Sequence, residues 1–233
     1  MLSAIAIVPS APVMVPELAA AASAETADLR AAAIAAVTAL PPRWIGVGVG
    51  DMGTDSVAGP GSVGTFAGYG VDVRVGLSGE AAAAGRDPAA LPLCALITAW
   101  LRGLAQPTAS AEVRAYRSDH DHGTAVTLGR RLRTEIDATD DPIGVLVVAD
   151  GANTLSPPAP GGYDPESIPV QAALDDALAA GDSAALTRLP DGIVGRTAYR
   201  VLAGLTERGP RSAEELYRGA PYGVGYFVGI WHP

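Results

Sequence analysis

Short apolar runs rich in β-branched residues alternate with longer segments rich in Ala and Leu along the whole chain. Strands in the middle of a sheet give short apolar runs, whereas the helices that cover a sheet give longer segments with one apolar face. The clearest strand is residues 143–149, which are continuously apolar, as expected for a central strand covered on both faces. This alternation predicts a single-domain α/β fold, a three-layer sandwich with a central mixed sheet and helices on both faces.

The positions of the elements follow from the apolar runs and from the turn residues between them. The predicted strands are residues 3–8, 44–49, 71–75, 113–116, 143–149 and 224–230. The predicted helices are residues 23–40, 90–104, 124–136, 165–180, 183–189 and 194–206. No segment has the composition of a linker, and 233 residues are within the size of one domain, so one domain is expected over residues 1–233.

Composition excludes two classes of partner. The net charge is −9 and the pI is near 4.7, whereas nucleic-acid binding needs clustered positive charge, so we expect no nucleic-acid partner. No segment supplies the roughly 18 uninterrupted apolar residues that a membrane span needs. The apolar start of the chain has no positive residue before it and contains Pro9, Pro12 and Pro16, which is unlike a secretory signal, so a cytoplasmic location is expected. Cys94, the only cysteine, is predicted to be an inert core thiol.

Loops rich in Gly, Pro and polar residues follow several of the predicted strands. They are residues 9–16, 51–64, 119–123 and 151–162. In an open α/β sheet, ligands bind beyond the carboxyl ends of the strands. The four loops are therefore predicted to converge on one pocket for a small molecule.

One of these loops holds two of the three histidines of the chain, His120 and His122, between Asp119 and Gly123. In an extended segment the two imidazoles would lie on one face, a spacing that suits metal ligands. The alternative is a polar loop in which an Asp caps the helix that begins near Thr124. The sequence leaves both interpretations open.

A second candidate is Asp150, which directly follows the strongest strand. A catalytic acid or base often occupies this position, although an Asp before a Gly is as often a turn-forming residue. No Ser or Cys nucleophile with a His partner is apparent, and the spacing of Gly46, Gly48 and Gly50 is not that of a nucleotide-binding motif. The Gly- and aromatic-rich run 221–228 is predicted to serve packing.

Four segments in order carry a family resemblance: residues 7–12 (IVPSAP), 121–128 (DHGTAVTL), 150–155 (DGANTL) and 160–165 (PGGYDP). They are similar to the Val-Pro-His-Pro-Pro turn, the Asp-His-Gly…Pro-Leu motif, the Gly-Ser-His segment and the Pro-Ala-Gly-Tyr-Asp-Pro segment of one superfamily. That superfamily is the class III extradiol ring-cleavage dioxygenases, specifically their catalytic LigB-like subunit, and it also contains MEMO-type proteins. The resemblance spans essentially the whole chain.

The resemblance implies a non-haem Fe(II) site of two His and one Glu, with a further His as acid/base, that opens a catechol ring with O₂. In this chain Ser10 stands where the first His ligand belongs, and Asp51 falls where the second is expected. Asn153 replaces the acid/base His, and the Glu would fall in residues 192–195, which have no oxygen-bearing side chain. His122, which resembles the substrate-pocket His of the family, is retained.

Loss of two imidazoles and a carboxylate removes most of the Fe(II)-binding energy, and an Asn side chain does not transfer a proton at neutral pH. We therefore expect no cofactor and a homologue without the iron site, a pseudoenzyme that acts as a small-molecule-binding or interaction module. The resemblance points to an aromatic ligand. The candidate catalytic residues are His122 and Asp150, and the candidate pocket residues are Ser10, Asp51, His120 and Asn153.

The alternative is a divergent active enzyme, an aromatic ring-opening dioxygenase or a metal-dependent oxidoreductase or hydrolase. It would hold Fe(II) or another divalent metal on Asp51, His120 and His122, with His232 as a further candidate ligand. Hydrolytic chemistry without a metal is another form of the same alternative. A third hypothesis is that the chain acts with a partner subunit or as a homo-oligomer.

Overall fold

The computed structural model describes residues 1–19, 23–50 and 53–233. Within these ranges the strands are β1 (Leu2–Val8), β2 (Arg43–Gly50), β3 (Ser56–Ala58), β4 (Val63–Thr65), β5 (Arg74–Gly76), β6 (Ser110–Arg117), β7 (Ile143–Val148), β8 (Ser212–Gly219) and β9 (Tyr226–His232). The helices are α1 (Pro16–Ala19), α2 (Ala27–Thr38), α3 (Gly79–Ala83), α4 (Leu93–Ala105), α5 (His122–Asp137), α6 (Ser167–Ala180), α7 (Ser183–Leu186) and α8 (Arg196–Leu205).

The central sheet of the described residues contains seven strands in the order β3-β6-β2-β7-β1-β9-β8. Strands β6, β2, β7 and β1 are parallel, whereas β3 and β9 run antiparallel to their neighbours, and β8 is antiparallel to β9. Strand β7 pairs with β1 on one side and with β2 on the other, and all six of its residues are buried. The mixed sheet and the central position of the most apolar strand confirm the prediction.

Helices cover the two faces of this sheet, and side chains of alternating residues in each strand reach opposite cores. One core joins α2 and α4 to strand residues such as Val8, Val148 and Tyr226. The other joins α5, α6 and α8 to residues such as Ile7 and Val147. The structure is therefore a three-layer α/β sandwich, as the sequence predicts.

The six predicted helices are all present, with ends that differ by up to four residues. Five of the six predicted strands belong to the central sheet, and residues 71–75 overlap β5, which forms a separate hairpin with β4. Strands β3, β4 and β8 were not predicted. Strand β8 lies at the sheet edge with its charged side chains exposed, and β3 and β4 have three residues each, so none of them shows the apolar pattern of a buried strand.

Two further expectations concern the core and the membrane. Cys94 is fully buried in α4, and burial raises the pKa of its thiol to about 12, which makes it unreactive at neutral pH. No helix in the described part of the chain has the length and apolar character that crossing a membrane requires.

Candidate functional site

The carboxyl ends of the parallel strands meet at one edge of the sheet, which we call the carboxyl edge. The chain that follows β1 leads to α2 in the first helical layer, whereas the chain that follows β7 leads to α6 in the second layer. Neighbouring parallel strands whose connections leave toward opposite faces form a crevice, and such crevices are where open α/β sheets bind ligands. The β1–β7 junction is therefore the expected position of a ligand site.

Ser10 and Asp150 occupy this junction, two residues beyond the ends of β1 and β7. The backbone N–H of Ser10 donates to Oδ1 of Asp150 over 2.8 Å. Oδ2 of the same carboxyl group has no hydrogen-bond donor among the described residues. Both residues are partly exposed, so one carboxyl oxygen is held by the protein and the other is free for a ligand.

Desolvation is the main effect on the Asp150 carboxyl group. It raises the pKa to about 7, and the N–H of Ser10 opposes that rise. Two buried tyrosines, Tyr199 and Tyr226, lie close enough for the negative charge of Asp150 to add to the rise that burial causes in their own pKa. The hydroxyl of Tyr199 donates to the carbonyl of Ala149 over 3.0 Å. Asp150 is therefore a carboxyl group that titrates near neutrality.

A buried amide supports the segment that carries Asp150. Oε1 of Gln171, on α6, accepts the N–H of Ala152 over 2.8 Å, and Nε2 donates to Oδ1 of Asp175 over the same distance. A Cβ atom at Gly151 or Gly225 would collide with the Gln171 side chain, so both glycines are required for this close approach. Burial raises the pKa of Asp175 to about 6. These contacts fix the backbone immediately after Asp150.

Asn153 lies on the same segment and is partly buried. Its carbonyl accepts the N–H of Gly161 over 2.9 Å, and its side chain lies so near Gly161 that a Cβ atom there would be 2.5 Å from Oδ1. Residues 192–195 run beside it: Ile193 forms a β-bridge with Ala152, and the N–H of Gly195 donates to the carbonyl of Asp150 over 2.8 Å. The resemblance places the missing Glu in residues 192–195. This segment therefore lies next to Asp150, and none of its side chains carries an oxygen atom.

His120 is engaged in the protein rather than free. Its Nε2 lies 2.8 Å from Oδ1 and 3.0 Å from Oδ2 of Asp55, and its ring makes an edge contact with Tyr116. Oδ1 of Asp55 also accepts the N–H of Arg117 over 2.9 Å. The His120 side chain is only 12% exposed. These contacts attach the loop before β3 to the end of β6, two strands from Asp150.

His122 is the first residue of α5 and is exposed. The preceding Asp121 is the N-cap: its carboxyl group accepts the N–H of Thr124 over 2.9 Å and the hydroxyl of the same residue over 2.6 Å. The capping interpretation of this loop is therefore the one that the structure supports. His232, at the end of β9, pairs with Ser212 at the opposite edge of the sheet and cannot share a site with His120 or His122.

The donor set at the carboxyl edge does not fit Fe(II). Asp51 lies outside the described residues. Of the other positions, Ser10 and Asn153 carry a neutral hydroxyl and a neutral amide, and His120 is already bound to Asp55. No group of three or more His, Cys, Asp or Glu that could hold a metal occurs in residues 1–19, 23–50 and 53–233. Iron prefers imidazole and carboxylate ligands, and Ser10 and Asn153 provide neither.

Comparison with known proteins finds a similar fold among solved structures. No family model and no curated protein matches the sequence. Among solved structures, the chain is similar to the crystal structure of an uncharacterised protein from Escherichia coli K12, with a TM-score of 0.60 and 10% sequence identity. The match covers 98% of this chain and 99% of that chain. At this identity the similarity concerns the fold over its whole length and does not extend to activity.

Several site residues were not identified from the sequence. Asp55 has no motif around it, and Tyr226 belongs to the Gly- and aromatic-rich run 221–228, for which the sequence predicts a packing role. Gln171 had a weak signal, because it shares the apolar face of its helix with Leu174 and Leu178 at helical spacing. A polar residue on such a face must find a partner, and here the partners are Ala152 and Asp175.

Proposed function

We propose that this protein is a LigB-like homologue of the class III extradiol dioxygenases that lacks the iron site and binds a small molecule at the carboxyl edge, with Asp150 as the central polar group. The observation that carries the proposal is the hydrogen bond from the N–H of Ser10 to Oδ1 of Asp150, which leaves Oδ2 free at the β1–β7 junction. We also propose that the protein acts in the cytoplasm.

The energetics of Asp150 support a binding role. A carboxyl group that is desolvated and has no positive partner destabilises the folded state when it is ionised. A protein that needed only a turn at this position would gain stability from a neutral residue. Perturbed carboxyl groups in a crevice are typical of functional sites. The Gln171 support and the two glycines packed against it hold this group in a fixed place, which is what recognition requires.

A second candidate function is acid/base catalysis without a metal. The pKa of about 7 for Asp150 favours it, because a general acid or base is most effective when its pKa is near the working pH. The metal-dependent alternative is less well supported, since His120 is bound to Asp55 and His122 is exposed at the start of α5. It would rest on Asp51 together with these two histidines.

Metal reconstitution tests the loss of the iron site. Protein incubated anaerobically with Fe(II), Mn(II) or Zn(II) and then desalted is expected to retain less than one metal ion per chain, measured by elemental analysis. Tight one-to-one binding that is lost in His122→Ala would contradict the proposal. His232→Ala is the matched control, because it removes an imidazole at the opposite edge of the sheet.

A fragment screen tests the site itself. In ¹⁵N NMR spectra, fragments that bind as proposed should shift the amide of Ser10, which donates to Asp150, and the amides of residues 150–153. Their affinity should fall in Asp150→Asn and stay unchanged in Asp141→Asn, which lies beyond the opposite end of β7. Hits that shift only amides elsewhere, with equal affinity in both variants, would place the ligand site at another surface.

A further inference from the structure

A groove lies at the amino edge of the sheet, at the opposite end of the parallel strands from Asp150. Its volume is about 530 Å³, and it is formed by the C-terminal ends of α5 and α8 and by the turn that leads from α8 to β8. Arg211, which precedes β8, donates its backbone N–H to the carbonyl of His232 over 2.7 Å. His232 ends β9, which runs antiparallel to β1, so this contact places the turn near the start of β1. The groove is therefore a surface distinct from the carboxyl edge.

The groove is rich in positive charge. Four of the 16 basic side chains of the chain line it, those of Arg130, Arg133, Arg208 and Arg211. The acidic side chains among its lining residues are Asp137 and Glu207. The lining side chains therefore carry four positive and two negative charges, in a chain whose net charge is −9. Such a local excess of positive charge on an acidic protein attracts anions to this one place.

Two of the four arginines are held in place by the protein. Nε of Arg130 donates to Oε1 of Glu207 over 3.0 Å. Nε of Arg133 donates to Oδ2 of Asp137 over 2.5 Å, and its Nη1 donates to the carbonyl of Leu205 over 3.5 Å. A guanidinium group has five N–H donors, and these contacts use only some of them. Both groups are therefore positioned across the ends of α5 and α8 with donors left for a ligand.

The other two arginines have no partner of their own. In the part of the chain that the structure describes, the side chains of Arg208 and Arg211 form no hydrogen bond and no ion pair. Stabilisation of a helix C-terminus accounts for Arg130 and Arg133, because cations are favourable there. It does not account for Arg208 and Arg211, which lie beyond the end of α8 and donate to no carbonyl. Two unpaired guanidinium groups that line one groove repel each other, and an anion between them removes that repulsion.

From this arrangement we propose that the groove at the amino edge binds a phosphate group, either free or as the monoester of a small organic molecule. A phosphomonoester carries a charge of about −1.5 to −2 at pH 7 and three acceptor oxygens, which matches two unpaired arginines. The fork of a guanidinium group suits phosphate oxygens, to which it donates two parallel hydrogen bonds. A groove of about 530 Å³ has room for the organic part of an ester as well. The site is independent of the one proposed at Asp150.

Four probes test the ligand class: phenyl phosphate, phenyl sulfate, inorganic phosphate and hexaglutamate. Each is titrated at pH 8 and low ionic strength, where the phosphate probes are dianions and exposed charges are least screened. Binding is followed by the ¹⁵N NMR shifts of the amides of residues 205–209 and 211. Phenyl phosphate is expected to bind at least about fivefold more tightly than phenyl sulfate, which has the same shape and one charge less. Comparison with inorganic phosphate shows which of the two phosphate sources the groove prefers, and preference for either one supports the proposal.

A double variant assigns binding to the unpaired arginines. Arg208→Gln combined with Arg211→Gln should weaken phenyl phosphate at least about tenfold, because two charge-assisted partners are lost. Both side chains are exposed and neither takes part in an ion pair among the described residues, so the variant is expected to fold with an unchanged thermal midpoint. The matched control combines Arg131→Gln and Arg188→Gln. It changes the net charge equally at two exposed arginines that do not line the groove, and should leave the affinity within about twofold of wild type.

Four results would overturn the phosphate site. Equal affinity for phenyl sulfate and phenyl phosphate would mean that the groove attracts any anion. Equal affinity of the double variant and its control would mean that Arg208 and Arg211 do not bind the probe. Tighter binding of hexaglutamate at the same amides would make the groove a surface for an acidic polypeptide. No shift at residues 205–209 and 211 with either phosphate probe would exclude the site, whatever the fragment screen finds at Asp150.

Discussion

Gly129 of α5 and Gly204 of α8 lie against each other where the two helices cross, and a Cβ atom on Gly129 would be 2.9 Å from the Cα atom of Gly204. A Cβ atom at either position would also collide with a backbone carbonyl of the other helix, that of Val201 or Val126. Only two residues without side chains permit this approach. The crossing fixes α5, and with it the loop at the end of β6, against the sheet.

The helix crossing gives the first prediction. Gly204→Ala is expected to reduce the free energy of unfolding by about 2 kcal/mol or more, because the added methyl forces the helix backbones apart. Gly103→Ala on α4 is the matched control: its Cβ atom would have no neighbour within 4 Å, and the change should stabilise the helix by about 0.5–1 kcal/mol. Chemical denaturation of the two variants and of wild type measures both changes, provided that the m-values of the three proteins are equal. Equal effects of the same sign would contradict the crossing.

Asp150 should make stability depend on pH in a defined direction. Its pKa is raised to about 7 in the folded protein, so between about pH 4 and pH 7 the folded state binds more protons than the unfolded state. Stability from this group is therefore present at low pH and is lost as the pH rises through that window. Asp175, with a pKa of about 6, acts in the same direction.

The free energy of unfolding measured at pH 5 and pH 8 tests this sign. Relative to Asp150→Asn, wild type is expected to lose about 1 kcal/mol between these pH values, because this interval holds roughly 60% of the full effect of such a shift and partial exposure of the side chain reduces it by about half. Asp141→Asn should keep the wild-type dependence. Identical pH dependence in wild type and Asp150→Asn would show that the carboxyl group has an ordinary pKa.

Gln171 is expected to contribute more to the free energy of unfolding than an exposed polar side chain would. Gln171→Met keeps the volume but leaves the N–H of Ala152 and the carboxyl group of Asp175 without their partner, which is expected to reduce the free energy of unfolding by about 2–4 kcal/mol. Asp176→Asn changes an exposed residue next to Asp175 and should have an effect within about 0.5 kcal/mol. An effect of Gln171→Met no larger than that of the control would mean that the buried amide is dispensable.

The loop before α5 offers a test of capping against function. Asp121→Ala removes the N-cap of α5 and should lower the thermal midpoint, whereas His122→Ala, at an exposed position, should leave it unchanged. Differential scanning calorimetry compares the two. The reverse result, a large loss for His122→Ala and none for Asp121→Ala, would make His122 a structural residue with contacts that its exposure does not suggest.

The local pattern of apolar residues in the sequence was sufficient to predict the three-layer arrangement of helices and sheet. The apolar run of residues 143–148 has only one stable environment, a strand covered on both faces, and the Ala- and Leu-rich segments between strands have to cover them. Edge strand β8 was not predicted, because its side chains are largely exposed and its sequence therefore lacks the alternation of apolar and polar residues that marks a half-buried strand. The sequence likewise placed Ser10 and Asp150 each at the end of a strand, since strand ends follow from the same pattern.

Tertiary structure alone decided which of these polar residues meet. The order of strands in the sheet brings Ser10 to Asp150 and places His232 at the opposite edge, and no local signal encodes that order. The pairing of His120 with Asp55 likewise depends on a loop 65 residues away in the chain. The pKa of Asp150 depends on desolvation by the surrounding segments, a property of the packed molecule that appears only once strands and helices have assembled.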